Sequence, residues 1–243
     1  MCDESVILDL NALGCMYFRT GQQQEAMENY QASLAMLINH GNRFHTDDTN
    51  VNRRLAKKRR RSYKIESSCG TICQENGTTR GAFAMQIPFR DAATFEAAQP
   101  LFNKVLVLPQ DQAITPENFD VIYANLLFNT ALVMQIHGIR KACNRSLVQA
   151  LETYELAFDL LIQGITEDEI DMSIRNWLLY ALSNNIATIY VAARAPFMTQ
   201  YFLGQLRYFL TYSDSSLLSR EDLRFYIVNL DVLTCPCISA CAA

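Results

Sequence analysis

The chain has 243 residues, 50% of them hydrophobic and 19% charged, with a net charge of −4, which is the balance of a soluble globular protein long enough to bury a core. Met1-Cys2-Asp3-Glu4-Ser5 has no basic-then-apolar signal pattern, so the eight Cys are expected as reduced thiols in the cytoplasm or nucleus. A secreted disulfide scaffold is therefore not expected, and the sequons Asn76-Gly77-Thr78 and Asn144-Arg145-Ser146 are expected to be chance matches.

The first predicted element is a helix hairpin from Leu10 to Leu37, within residues 1–41, hinged at Thr20 and Gly21. Leu10, Leu13, Gly14 and Tyr17 share one face, and Ala26, Tyr30 and Ser33 share the facing one. Gly14 and Ala26 let two antiparallel helices approach, while Gly21 suits the turn.

Residues 42–81 lose the helical period. This stretch carries Arg53, Arg54, Lys57, Lys58, Arg59, Arg60, Arg61 and Lys64, which is 8 of the 21 basic residues, and is expected to be a disordered basic insert. Removing the +8 of these eight residues from the total of −4 leaves −12 on all the others, so the cluster and the acidic remainder are expected to attract. Gly81 to Phe89 alternates weakly and fits a short extended segment. Phe95 to Leu108 repeats second-helix spacing at Ala98, Phe102 and Val105 and is predicted as half of a degenerate repeat, ending at Pro109.

Thr115-Pro116-Glu117 is expected to start a long helix, with Thr115 as cap and Pro116 at the first helical position. Its apolar tract, Phe119 to Ile136, has membrane length but contains Asp120, Asn125, Asn129 and Gln135, which favours burial between neighbouring helices. Leu127 to Gly138 aligns with the first helix at an offset of 117 residues, pairing Leu10 with Leu127, Gly14 with Ala131 and Gly21 with Gly138. Ala150, Tyr154 and Ala157 repeat Ala26, Tyr30 and Ser33 after an expected inserted loop at about 139–145. A third copy pairs Asn185, Ile186, Ala187 and Tyr190 with the first helix, and Gly204, Tyr208 and Thr211 with the second, turning at Ala195-Pro196.

Capping boxes are predicted at Thr166 to Glu169 and at Ser219 to Asp222, the latter before a last helix from Leu223 to Leu233. The tail, residues 234–243, is expected to fray.

These repeats resemble the tetratricopeptide repeat family, whose unit is a helix hairpin with Leu-Gly-x-x-Tyr in its first helix and Ala-x-x-x-Phe-x-x-Ala in its second. Here the elements are Leu13-Gly14-Cys15-Met16-Tyr17, Ala26 to Tyr30 to Ser33, and Ala150 to Tyr154 to Ala157. Thr130 and Met134 stand where the family has Leu and Tyr, and the early Trp is missing, so residues 82–243 form degenerate repeats. The resemblance implies an all-α fold of stacked antiparallel hairpins, an α-solenoid whose concave face receives peptide segments of other proteins. That face would present Asn11, Cys15, Phe18 and Arg19, then Asn125, Phe128, Leu132 and Gln135, then Asn184 and Thr188. An Asn carboxamide can hold a peptide backbone through a donor and an acceptor at once, whereas Phe128 and Leu132 fit plain core equally well. A clamp for a terminal carboxylate is not supplied, since Arg19 is the one cation among these positions.

Catalytic motifs are missing from the sequence: no phosphate loop ending in Lys, no nucleophile elbow and no His-Glu-x-x-His. Cys69 and Cys73 with His40 and His45 match no standard zinc spacing, and Cys235, Cys237 and Cys241 lack a clear fourth ligand. His137 before Gly138 is expected to complement a helix C-terminus. The expectation is therefore a non-catalytic protein interaction scaffold without metal or cofactor. The competing expectation is an electrostatic binder of nucleic acid through residues 53–64, a run that also suits a nuclear-import receptor or an anionic membrane surface. Tyr63 is its one aromatic neighbour, so base stacking is poorly supplied.

Overall fold

The computed structural model describes residues 3–44, 101–110, 112–163, 169–212 and 218–234. The basic cluster, Cys69, Cys73, His45, the segment 81–89 and the tail from 235 lie outside them, as does the expected disorder of the insert. Among the described residues there are seven helices and no strand, so the fold is all-α. They are α1 (Asp3–Arg19), α2 (Gln23–Phe44), α3 (Phe119–Lys141), α4 (Asn144–Gln163), α5 (Glu169–Ala192), α6 (Pro196–Tyr212) and α7 (Arg220–Thr234).

Consecutive helices pair as hairpins: α1 with α2, α3 with α4, and α5 with α6. Each hairpin turns through one left-handed residue, namely Gly21 at φ 80°, Ala142 at φ 49° and Arg194 at φ 55°. At each turn two backbone N–H groups return to the helix just ended. Gly21 donates to Phe18 and Gln22 to Tyr17; Ala142 donates to Ile139 and Cys143 to Gly138; Arg194 donates to Val191 and Ala195 to Tyr190. This pair of hydrogen bonds satisfies carbonyls that a helix end leaves open, and it requires the left-handed residue. The hairpins then pack in order, α2 on α3, α4 on α5 and α6 on α7. The leading helices α1, α3, α5 and α7 also touch in succession and form a continuous layer.

Gly14, Ala26, Tyr30 and Ser33 pack inside the first hairpin as the sequence predicts, but Leu13, expected on the same face as Gly14, is 41% exposed, because the buried side of α1 turns to Ile7, Leu8, Asn11 and Cys15 instead. Gly14 faces the Tyr30 ring so closely that an added Cβ would lie 2.6 Å from Cε1. Tyr30 and Tyr154 are both fully buried, and the Tyr154 ring lies 5.7 Å from that of Phe128. Helix α3 is long and apolar enough to cross a membrane by length and composition, yet 89% of that window is buried within the protein.

Several boundaries depart from expectation. The extra residues between Gly138 and Ala150 are mostly helical: α3 runs on to Lys141, and α4 begins at Asn144. About one turn is thus added to each helix, because helical turns satisfy their own backbone while a loop must find partners elsewhere. Gly138 consequently sits inside α3, where an added Cβ would meet Leu147 Cγ at 2.6 Å, and His137 is not in the final turn. The third hairpin takes another register. Counted from the left-handed turn residues, Thr199, Leu203 and Leu206 stand where Ala26, Tyr30 and Ser33 do, and all three are buried. Gly204 and Thr211 are exposed, and Tyr208 is 56% exposed. Helix α3 starts at Phe119 rather than at Thr115, because Thr115 and Asn118 bond one another, Thr115 N–H to Asn118 Oδ1 at 2.8 Å and Asn118 N–H to Thr115 Oγ1 at 3.4 Å. At Ser219 the Oγ accepts the Asp222 N–H at 3.1 Å and donates to Asp222 Oδ2 at 2.8 Å, which is the Ser half of the expected box, while 166–168 lie outside the described residues.

The largest departure is at residues 101–109, which form no helix. They complete no repeat. They cross the layer of leading helices instead.

Candidate interaction groove

The crossing segment is Leu101-Phe102-Asn103-Lys104-Val105-Leu106-Val107-Leu108-Pro109. Phe102, Val105 and Leu108 are buried while Asn103, Lys104 and Val107 are exposed, so every third side chain points into the protein. An extended chain with about three residues per turn presents one face at that interval.

Two asparagines hold its backbone. Asn185 Oδ1 accepts the Phe102 N–H at 3.0 Å, and Asn185 Nδ2 donates to the Phe102 carbonyl at 3.0 Å. Asn129 does the same at Leu106, accepting the N–H at 3.2 Å and donating to the carbonyl at 3.0 Å. Asn125, one turn before Asn129, adds a bond from Nδ2 to the Leu106 carbonyl at 3.3 Å. The Cys15 thiol approaches the same oxygen at 3.7 Å. A carboxamide is the right group for this task because it offers a donor and an acceptor side by side, matching the N–H and C=O of a single residue.

Side chains fix the register. Phe102, only 2% exposed, enters a pocket of rings, 5.2 Å from Trp177, 5.6 Å from Phe225 and 5.1 Å from Tyr226. Lys104 Nζ donates to Asp222 Oδ1 at 2.6 Å, and Gln110 Nε2 donates to Asp9 Oδ1 at 3.2 Å. The segment therefore starts at α5 and α7, passes α3, and ends at α1.

A buried polar network carries the asparagines. Asn129 Nδ2 also reaches Asn11 Oδ1 at 3.1 Å, and Tyr30 OH donates to Cys15 Sγ at 3.3 Å. Burial pushes the Cys15 thiol up despite that bond, so the thiol stays protonated and keeps its proton for donation. On the other side, Asn185 Nδ2 meets Tyr154 OH at 3.2 Å, Tyr154 donates to Gln135 Oε1 at 3.0 Å, and Gln135 Nε2 donates to Thr188 Oγ1 at 3.3 Å. Asn184 bonds Asn185 Oδ1 at 3.1 Å and accepts from Asn229 at 2.7 Å. These bonds set which way each carboxamide faces.

Of the ten residues expected on the concave face, Asn125 and Cys15 reach the segment, and Asn11 supports Asn129. Gln135, Asn184 and Thr188 belong to the supporting network. Phe128 and Leu132 are fully buried, Phe128 against Tyr154 and Trp177. Phe18 is half-buried and Arg19 exposed, and neither bonds the segment. The two residues that grip the backbone, Asn129 and Asn185, were not assigned to this face. Their signal was present in the sequence: Asn125 and Asn129 stand one helical turn apart in an apolar run, and Asn184 and Asn185 are adjacent in another.

Among the described residues no group of three or more His, Cys, Asp or Glu is placed to hold a metal ion. His40 is buried with Nε2 3.4 Å from Glu4 Oε1. No protein-family model, curated protein or solved structure matches the chain.

Proposed function

We propose that the chain is a non-catalytic interaction scaffold, a tetratricopeptide-like array of stacked hairpins whose leading helices grip an extended peptide. The resemblance in the motifs Leu13-Gly14 to Tyr17 and Ala26 to Tyr30 supports the family, and the ordered pairing of α1 to α7 is compatible with it. The observation that carries the proposal is the paired clamp, Asn129 on Leu106 and Asn185 on Phe102, four residues apart along one segment. Both clamps address main chain, so they give affinity with little sequence demand, while the ring pocket and Asp222 choose the side chains. A display library of extended peptides panned on the full chain tests this. Enriched peptides should lose binding when Asn129 and Asn185 are both Ala; retention that ignores these changes contradicts the groove.

The eight cations from Arg53 to Lys64 support a second reading, polyanion or import-receptor binding in the cytoplasm or nucleus. Retention on a heparin column should fall when Arg59, Arg60 and Arg61 become Ala.

A further inference from the structure

We propose that residues 101–109 are a tethered occupant of the groove, displaced when a partner protein offers an extended peptide of the same pattern. The inference rests on the peptide-groove reading above and adds what the ligand is and how access to it is controlled. The partner peptide has an aromatic residue at the Phe102 position, a cation two residues on for Asp222, and aliphatic residues three and six on, where Val105 and Leu108 lie.

Two observations mark the segment as an occupant. Among the described residues no backbone-to-backbone hydrogen bond joins 101–108 to any helix, so its main-chain bonds run to side chains. Carboxamides that bind N–H and C=O accept any extended chain equally, including one from another molecule. The groove is also incompletely used by its present occupant. Asn125 Oδ1 and Asn11 Nδ2 are buried without a hydrogen-bond partner, on residues with 0% exposure, although the opposite ends of both carboxamides are engaged around Leu106. Buried polar groups are ordinarily satisfied, so a chain that also brings a donor to Asn125 and an acceptor to Asn11 fits better than the resident one.

The tether supplies the control. Residue 101 follows α2 by the long stretch 45–100, and residue 109 precedes α3 by nine intervening residues, 110–118. A covalently attached competitor acts at an effective concentration on the order of millimolar, so a weaker-fitting resident segment still suppresses a free ligand. Release of the segment raises affinity for the partner without any new contact.

The probe is a fluorescent peptide with the sequence of residues 100–110, titrated by anisotropy. Against the full chain carrying Phe102→Ala, Val105→Ala and Leu108→Ala it should bind roughly 100-fold tighter than against the unaltered chain. Because the triple variant can fail to fold, a second protein keeps the native segment and places protease sites at residues 98–99 and 111–112. After cleavage, with helical circular dichroism retained, the probe should exchange into the groove. A cut, folded protein that keeps its segment and refuses the probe overturns the tethered occupant alone. Probe binding that is unchanged by Asn129→Ala with Asn185→Ala overturns the groove as well. A dimer appearing with rising concentration of the unaltered chain, and dissolving when the probe is added in excess, would assign the groove to a second copy and overturn the partner peptide.

Discussion

Asn129 meets Leu106 with both ends of one carboxamide, an N–H···O bond of 3.2 Å and an N–H···O=C bond of 3.0 Å, across 23 positions of sequence. Asn129→Ala removes both partners at once and strands a part-buried amide. The expected loss is about 1–3 kcal/mol, read as a lower urea midpoint at unchanged slope. Asn129→Asp should be at least as harmful, since a carboxylate can accept from the N–H but faces the carbonyl with negative charge. Asn185→Ala should cost a similar amount through Phe102.

Gly14→Ala places a methyl group 2.6 Å from the buried Tyr30 ring. A ring wedged between helices cannot move away cheaply, so the change should destabilise by about 1–3 kcal/mol. Adding Tyr30→Leu makes room, and the double variant should therefore be less unstable than the sum of the two single changes. Thermal or urea unfolding of the four proteins in the cycle measures this coupling.

Two hairpin turns are legible in the sequence because Gly21 and Pro196 punctuate them, and helical spacing identifies Gly14, Ala26, Tyr30, Ala131, Ala150, Tyr154 and Ala157 as buried, while it misplaces Leu13, which is exposed. The turn of the second hairpin has no such punctuation, so the sequence ends the helix at Gly138 and spreads a loop over 139–145, where the structure turns at Ala142. Residues 101–108 were misassigned for a different reason. Ala98, Phe102 and Val105 lie at helical intervals, but Phe102, Val105 and Leu108 fit a three-residue extended period just as well, and burial against distant helices decides between them. In the sequence Asn129 reads only as evidence against a membrane span, because its partner Leu106 lies 23 positions away, beyond local inference. Tyr208 shows the same limit: its spacing copies Tyr30, yet it stands 14 residues after Arg194 where Tyr30 stands 9 after Gly21, so it faces outward and Leu203 takes the buried place.

Ala142 and Arg194 hold φ values of 49° and 55°, where a Cβ is strained. Ala142→Gly and Arg194→Gly should each raise stability by about 0.5–1 kcal/mol, the relief exceeding the added entropy of the unfolded glycine. Gly21→Ala, at φ 80°, should lower it by at least as much. The shifts in thermal midpoint of the three variants check the sign at each turn.

Burial raises Glu155 above its ordinary value of 4.5, although the Tyr190 hydroxyl that donates to it pulls the other way. The folded protein thus retains a proton that the unfolded chain has already released. Stability from this group falls as pH rises from 4.5 through the raised value and stays reduced above it. Glu155→Gln keeps an acceptor for Tyr190 and removes the charge. It should be more stable than the native chain at neutral pH, with the advantage vanishing below 4.5, in a series of urea titrations against pH.

Amide hydrogen exchange across residues 101–109, followed residue by residue by NMR, tests the paired clamp most directly. The amides of Phe102 and Leu106 should be slow among faster neighbours, with Asn185→Ala freeing the first and Asn129→Ala the second. Continuous protection through the whole segment, as a helix would give, or uniformly fast exchange at both positions, would contradict the account.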